Sequence, residues 1–389
     1  MFPRMVRLSV LFSGLFSFLF SFAPAADGRI TFKNDLGVAR LNESMVLTRN
    51  NLEKILPVTD LKKIHIKDSF DDREVLCQAI DLNGDTVAEE LIFQADFRPM
   101  ESKTFIAFIG EKQTITAGQF KAYGRFARER FDDFAWENDR VAFRMYGLAL
   151  ETWVKEPLTS SAVDVWCKRV RKLVINDWYM VDNYHTDTGE GADFYSAGKS
   201  RGCGGSGIWK GGQLYVSRNF QQSKVIANGP IRVIFELTYA PWNVDGENIS
   251  EVKRITLDAG SHLNHFESYY QRSQPETITF AAGIKNNKGS SVLSQKEAGW
   301  MRTWEPLPNN NGQLGCGIVI EPDRIVEFAA SAGDYLVVAK TKDSQTASYY
   351  AGFSWDKSGD FPSAKEWESY LEHFSQRLRS PLKSSTAIK

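Results

Sequence analysis

Between Ile231 and Tyr239 the chain alternates strictly. Ile231, Val233, Phe235, Leu237 and Tyr239 are apolar, and Arg232, Ile234, Glu236 and Thr238 fill the positions between them. A period of two sends successive side chains to opposite faces of a strand, whereas a helix would group residues three or four apart. Lys253–Leu257 reads the same way. Asp258-Ala259-Gly260 then supplies a turn, and beyond it Leu263, His265, Glu267 and Tyr269 share one face of a further strand. Comparable runs bounded by polar turns occur at Val75–Ile80, Glu89–Phe97, Thr104–Ile109, Thr277–Ile284, Gly317–Glu321, Tyr335–Lys340 and Ser348–Ser354. So many strands with so few helical stretches predict an all-β chain. The expected form is a large antiparallel β-sandwich with a few peripheral helices.

Two helices are expected. Val163, Trp166, Val170, Leu173, Val174 and Trp178 follow helical spacing across Ser160–Trp178. Near the end, Ser363 and Glu366 have capping-box spacing. Trp367, Tyr370, Leu371, Phe374 and Leu378 form a stripe behind them, and Pro381 closes it.

Residues 1–25 read as a signal peptide. Arg4 and Arg7 precede an apolar run from Leu8 to Phe22, which is shorter than the roughly 20 residues of a bilayer span, and Ala23-Pro24-Ala25 fits the cleavage rule. Residues 26–389 are then expected to form one domain, periplasmic or secreted, with no membrane contact after cleavage. A net charge of −1 offers no footprint for nucleic acid. Cys77, Cys167, Cys203 and Cys316 are too scattered for a zinc site. In an exported chain they would either form two disulfides, with three possible pairings, or stay as buried thiols.

The segment Asp182–Trp209, DNYHTDTGEGADFYSAGKSRGCGGSGIW, is the most polar and glycine-rich of the chain. Tyr184, His185 and Tyr195 are candidates for acid–base work, since an imidazole titrates near neutrality. Asp187, Glu190 and Asp193 would orient His185, contact sugar hydroxyls or, less favourably, hold calcium, because their spacing matches no standard loop. Lys199, Arg201 and the glycines around Cys203 would make a cationic nest for a carboxylate, or a tight structural turn. No cofactor is required.

Arg140–Tyr146 also alternates, with Val141, Phe143 and Met145 on one face and Arg140, Ala142, Arg144 and Tyr146 on the other. That pattern predicts a strand with a basic outer face. A helix is the competing reading, with Trp136, Arg140 and Arg144 at i, i+4 and i+8. Arginine suits bidentate recognition of carboxylates. The alternative is an ion network in which Asp132, Asp133, Glu137 and Asp139 pair with Arg125, Arg128, Arg130, Arg140 and Arg144. Trp136 joins the candidates because aromatic faces stack on sugar rings.

The runs GPIRVIFELTYAPW and EVKRITLDAGSHLNHFESYY resemble the central strands of galactose-mutarotase-like supersandwich proteins. RERFDDFAWENDRVAFRMYG and YHTDTGEGADFYSAGKSRGCGG resemble an uncharacterised family of exported proteins from polysaccharide-degrading bacteria. The resemblance implies a supersandwich core, a fold that serves mutarotases, lyases and some hydrolases. Fold alone does not choose among them. The expectation is a carbohydrate-active enzyme on an acidic, uronate-containing glycan, working by β-elimination. In that scheme His185 is the base, Tyr184 or Tyr195 the acid, and Arg140, Arg144 or Arg201 neutralises the carboxylate. Lys199, Trp136, Glu190, His265 and Glu267 contribute to binding. The alternatives are a hydrolase pairing Glu190 with Glu267, a mutarotase using His265 or His185 with Glu267, and a non-catalytic glycan-binding protein. The lyase reading requires Arg140, Arg144 and Arg201 to converge on His185.

Overall fold

The computed structural model describes residues 27–388 apart from 155–157, 182, 273–275, 332 and 344. The segment read as a signal peptide and Asp182 lie outside the described residues. The chain is an all-β antiparallel sandwich with peripheral helices, as its alternation predicts.

The alternating run becomes the strand Arg232–Val244. It pairs with Glu247–Asp258, which pairs with Leu263–Gln271. These strands sit in an eight-stranded sheet that continues through Thr346–Trp355, Gln313–Val319, Trp300–Pro306 and Ser291–Gln295. Val233, Phe235, Leu237, Ile255, Leu257 and Phe266 turn inward and form the main core with residues of two five-stranded sheets. One of these sheets runs through Cys203–Lys210, Thr279–Lys285 and Asp334–Lys340. The other runs through Val163–Lys168, Ala142–Met145 and Asp133–Asn138. The opposite face of the long sheet carries Arg232, Ile234, Arg254, Thr256, His265, Glu267 and Tyr350.

An N-terminal module covers part of that opposite face. Its five-stranded and three-stranded sheets enclose a core of their own, built from Ile30, Leu47, Leu52, Phe93, Phe97 and Phe105 among others. Ile80 and Ile92 of the module pack on Ile231 and Ile234 of the long sheet. Gln78 reinforces the junction, donating to Arg232 O at 2.9 Å and accepting from the amides of Ile231 and Arg232 at 3.0 and 2.8 Å. The turn at Gly260 fixes the approach. Gly260 has φ +75°, and a Cβ there would lie 2.7 Å from Asn42 Cγ, so a side chain at this point would push the module away.

The helices are α1 (Arg49–Glu53), α2 (Ile175–Met180) and α3 (Ala364–Arg379). The apolar stripe of α3 packs as expected: Trp367 and Leu371 are buried against Trp300, Val319 and Leu263. Gly317 permits that contact, since a Cβ there would stand 2.8 Å from Leu371 Cδ2 and 2.9 Å from Trp367 Cζ2. The N-terminal cap of α3 differs from the expected box, because the Ser363 hydroxyl bonds the Glu366 carboxylate and not a backbone amide. After α3 the strand Lys383–Ile388 returns to pair with Gly28–Lys33, joining the chain's end to the module.

Three expectations are corrected. Ser160–Trp178 is not a helix: Val163–Lys168 is a strand and only Ile175–Met180 is helical. Every residue of that strand is buried, so Asp164 and Lys168 occupy interior positions and hide the alternation. The strand Ala142–Met145 exists, but its basic face is not an outer one, since α2 covers Ala142 and Trp166. The glycine run around Cys203 is not an anion nest. It is the buried strand Cys203–Lys210, whose glycines allow close packing: a Cβ on Gly205 would lie 2.5 Å from Arg201 O. All four cysteines are free and buried. No helix among the described residues is long and apolar enough to cross a membrane.

Candidate functional site

The two motif segments meet at Arg144. Asp133 and Tyr146 come from the same motif as Arg144, Tyr184, His185 and Asp193 come from the other, and Asp164 comes from the strand between them. Arg144 donates through Nε to Asp164 Oδ2 at 2.8 Å, through Nη2 to Asp193 Oδ2 at 2.9 Å and through Nη1 to the Tyr184 hydroxyl at 3.0 Å. Asp133 Oδ2 stands 3.7 Å from Nη1. The Tyr146 hydroxyl donates to Asp164 at 2.9 Å. His185 covers the group, its Nδ1 3.1 Å from Asp193 O, and remains largely exposed.

Three carboxylates face one guanidinium here, and they are buried. Burial, with Asp164 adding to it, pushes Asp193 well above the ordinary carboxylate range. Burial pushes Asp133 up to about 7 against the pull of Arg144. One oxygen of each, Oδ1, has no hydrogen-bond partner. A charge surplus inside a dry pocket is relieved by protonation. The guanidinium is thus committed to its own acids.

The remaining site residues from the sequence go elsewhere. Arg201 is buried, with its amide on Asp334 Oδ1 at 2.7 Å and Nη1 3.4 Å from Ser161 Oγ. Tyr195 lies in the main core with its hydroxyl unpartnered, and burial raises its phenol well above the ordinary value. Trp136 is also core, donating to Asn264 Oδ1 at 2.7 Å. Lys199 is exposed. Glu190 pairs with Lys172 at 2.8 Å, Asp187 with Arg169 at 2.5 Å, and Asp193 with Arg144. The acids considered for calcium therefore serve three different cations. Among the described residues, the acids close enough to share a metal ion are Asp81, Asp85 and Glu89, on the loop before the strand Glu90–Phe97, with ligand atoms within 4.8 Å of one another. Of the expected arginines, Arg144 reaches Tyr184 and, through Asp193, His185, whereas Arg140 pairs with Asp360 and Arg201 with Asp334 and Ser161.

Arg140 instead lines a cleft that the sequence did not single out as the site. It has a volume of about 730 Å³ and lies over the outer face of the long sheet, walled by the N-terminal module and by α3. That size falls within the usual range for ligand pockets. Cross-strand register builds its floor. One row runs Glu236, Arg254, Glu267, Ser348, and the next runs Ile234, Thr256, His265, Tyr350. His265 and Tyr350 stack with ring centroids 4.5 Å apart and 14° between planes. His265 Nε2 is 2.8 Å from Ser348 Oγ, and Nδ1 is 4.0 Å from Glu267 Oε2.

Two electrostatic features prepare this pair. Burial lowers the His265 pKa, with Glu267 opposing, so the ring is a neutral base at neutral pH. Burial, helped by Asp258 and Glu267, pushes the Tyr350 phenol up to about 12, so it keeps its proton. Two arginines flank them. Arg232 uses Nε and Nη2 on Asp258 at 2.6 and 2.7 Å, and Arg254 uses Nε and Nη2 on Glu236 Oε1 at 3.0 and 2.6 Å. Among the described residues, neither Nη1 has a hydrogen-bond partner. The arrangement combines a base, an acid and cationic donors in one recess. The period of two had already placed His265 and Glu267 on one face. Tyr350 and Arg232 were missed because register across three strands cannot be read from one run.

A family model described as Domain of unknown function (DUF4861) matches residues 32–383. An uncharacterised protein of Formosa agariphila is 31% identical over 384 residues, covering 92% of each chain. Among solved structures, an alpha-mannosidase from Enterococcus faecalis aligns with a TM-score of 0.51 at 10% identity, over 93% of this chain and 46% of that one. A glycosyl hydrolase family 38 protein from the same organism aligns with a TM-score of 0.49 at 10% identity, over 94% and 48%. This chain thus spans about half the length of these solved structures, and the likeness to the alpha-mannosidase is one of fold.

Proposed function

The chain belongs to the family described as Domain of unknown function (DUF4861), and from that premise we propose that it is an exported enzyme acting on acidic carbohydrate. The reaction is β-elimination at a uronic acid unit in the cleft beneath α3. The observation that carries this reading is the His265 ring stacked on the Tyr350 ring between Arg232 and Arg254 in the cleft. A sugar-processing neighbour on the same fold, the alpha-mannosidase, is consistent with a carbohydrate substrate.

The sequence expectation of base, acid and carboxylate clamp is kept, and the residues change. The unbonded Nη1 groups of Arg232 and Arg254 take the uronate carboxylate and make its C5 proton acidic. Nδ1 of His265 accepts that proton, and Glu267 faces the resulting imidazolium. The C5–H electron pair becomes the C4=C5 bond as the C4–O bond breaks. The leaving oxygen takes the Tyr350 proton. Transfer from the imidazolium back to the stacked phenolate resets the site. Preorganised guanidinium charge at the developing enediolate supplies the largest share of the rate.

A second reading puts the chemistry at Arg144, with Tyr184 and His185. The observation favouring it is that both motif segments converge there. Paired variants separate the two. Uronate-containing polymers are incubated with the full chain and the absorbance of the new conjugated double bond is followed. His265→Ala is expected to lose about 10²-fold or more in rate, with His185→Ala close to the parent. The reverse order would move the chemistry to Arg144. New reducing ends without the absorbance would replace elimination by hydrolysis.

A further inference from the structure

One hydroxyl on the long sheet sits where a nucleophile would. Ser348 pairs with Glu267 across adjacent strands, and His265 stands two residues before Glu267 on the same face. Ser348 Oγ lies 2.8 Å from His265 Nε2, and Glu267 Oε2 lies 4.0 Å from Nδ1 of the same ring. The imidazole thus stands between a hydroxyl and a carboxylate. Its plane is held by the stack on Tyr350, which packs in turn on Phe374 of α3 with ring centroids 5.0 Å apart. His265 and Glu267 line the cleft, and Ser348 is exposed beside them.

Hydroxyl, imidazole and carboxylate in line are the parts that activate a serine for acyl transfer. A cross-strand polar contact would explain the bond from Ser348 to the ring, but not the acid behind the other nitrogen. The step from Nδ1 to Glu267 is longer than a hydrogen bond, as catalytic contacts often are before a ligand is bound. With the ring proton on Nδ1, directed at Glu267, the Nε2 lone pair is free to accept from the Ser348 hydroxyl. With the proton on Nε2, Nδ1 is the free base that elimination uses. The two neutral tautomers serve different chemistries on one ring. Arg254 stands next to Glu267 in the same cross-strand row and adds positive charge to this part of the floor.

We propose that Ser348, His265 and Glu267 form a nucleophile–base–acid relay that hydrolyses a carboxylic ester carried by a sugar. This rests on the cleft being the site, and not on elimination taking place there. Ser348 Oγ bonds to the ester carbonyl carbon as its proton passes to His265 Nε2, and Glu267 faces the imidazolium. The C–O bond to the alcohol breaks, and the leaving alcohol takes the proton from Nε2. Water then gives a proton to the same nitrogen and attacks the acyl group. The bond to Oγ breaks, and Oγ recovers its proton from Nε2. Ester and water are consumed, and acid and alcohol are released. The ester is either the alkyl ester of a uronic acid or an acyl group on a sugar hydroxyl.

Covalent labelling tests the relay without needing the natural substrate. The full chain is treated with a fluorophosphonate, which phosphonylates a base-activated serine, and the labelled peptide is located by mass spectrometry. The expected result is a label on Ser348 that disappears when the chain is unfolded first. His265→Ala should slow labelling by about 10²-fold or more, and Glu267→Gln by about tenfold or more. Two esters then identify the source: the methyl ester of glucuronic acid, followed by methanol release, and O-acetylated glucose, followed by acetate release. Ser348→Ala, checked for the parent's thermal midpoint, should abolish whichever release is seen. No label on Ser348 in the folded parent, or release that persists in Ser348→Ala, would overturn the relay. If Ser348 is labelled and an ester is cleaved while uronate polymers give no conjugated double bond, the relay stands and the elimination reading falls. If the double bond forms and Ser348 stays inert, the relay falls and elimination stands.

Discussion

Asp133→Asn tests the charge surplus around Arg144 directly. The folded carboxyl sits at about 7, against an ordinary value of 3.8. The native state therefore binds this proton more tightly than the unfolded chain. Its contribution is complete below about pH 4 and is lost as the pH climbs through about 7. Three pKa units at 1.36 kcal/mol each set a ceiling of about 4 kcal/mol for the cost of ionising the group in place. Relaxation and water entry reduce that to about 2 kcal/mol. Asparagine keeps the shape, can still accept from the Gly147 amide that Asp133 engages, and cannot ionise. Urea unfolding at pH 3.5 and pH 8.5 would follow the two proteins. At pH 3.5, below the unfolded value, they should be equal within about 0.5 kcal/mol, and at pH 8.5 the variant should be the more stable by about 2 kcal/mol. If the variant is weaker by a similar amount at both pH values, Asp133 is ionised in the fold and held by Arg144. The argument that three acids oversupply one guanidinium would then be refuted.

Two further tests address the cleft. With turnover established, kcat/KM should rise from acid pH to a plateau that begins below the ordinary histidine value of 6.5, because burial lowers His265. No alkaline fall should appear before the region of Tyr350 at about 12, and an acid limb above the ordinary value would remove His265 as the base. Gly317→Ala would push against Leu371 and Trp367, both buried in the contact of α3 with the sheet. It should destabilise by about 1–3 kcal/mol by urea unfolding, and an unchanged midpoint would mean that α3 yields freely at this contact.

The fold was legible wherever one face of a strand met the core and the other met solvent or a cleft. Arg232–Val244 and Leu263–Gln271 alternate in burial much as they alternate in sequence. The stripe of α3 was equally plain, because solvent covers its other side. Legibility failed where both faces were covered. The strand Val163–Lys168 has every residue buried, and Lys168 survives there only by donating to Glu137 at 2.7 Å and to the carbonyls of Asn138 and Lys172 at 2.8 Å each. Helical spacing leaves Asp164 and Lys168 off the apolar stripe, whereas in the fold both are paired in the interior.

The site was half legible for a related reason. Residue type announces that a side chain is charged, but its role depends on what neutralises it. Arg140 and Arg144 stand four apart on one polar edge, and the sequence treats them alike. Asp133, Asp164 and Asp193 enclose Arg144 so fully that acids are in excess. Arg140 shares Asp360 with Arg171 and stands 3.7 Å from Asp139, so its surroundings hold two guanidiniums against two carboxylates. The covering of α2 over Ala142 and Trp166 separates the two environments. The first node therefore attracts protons and the second is balanced, from the same residue type four positions apart. A function assigned from Arg144, the better-placed residue by sequence motif, would rest on a guanidinium already saturated. Of the two, Arg140 is the one that lines the cleft.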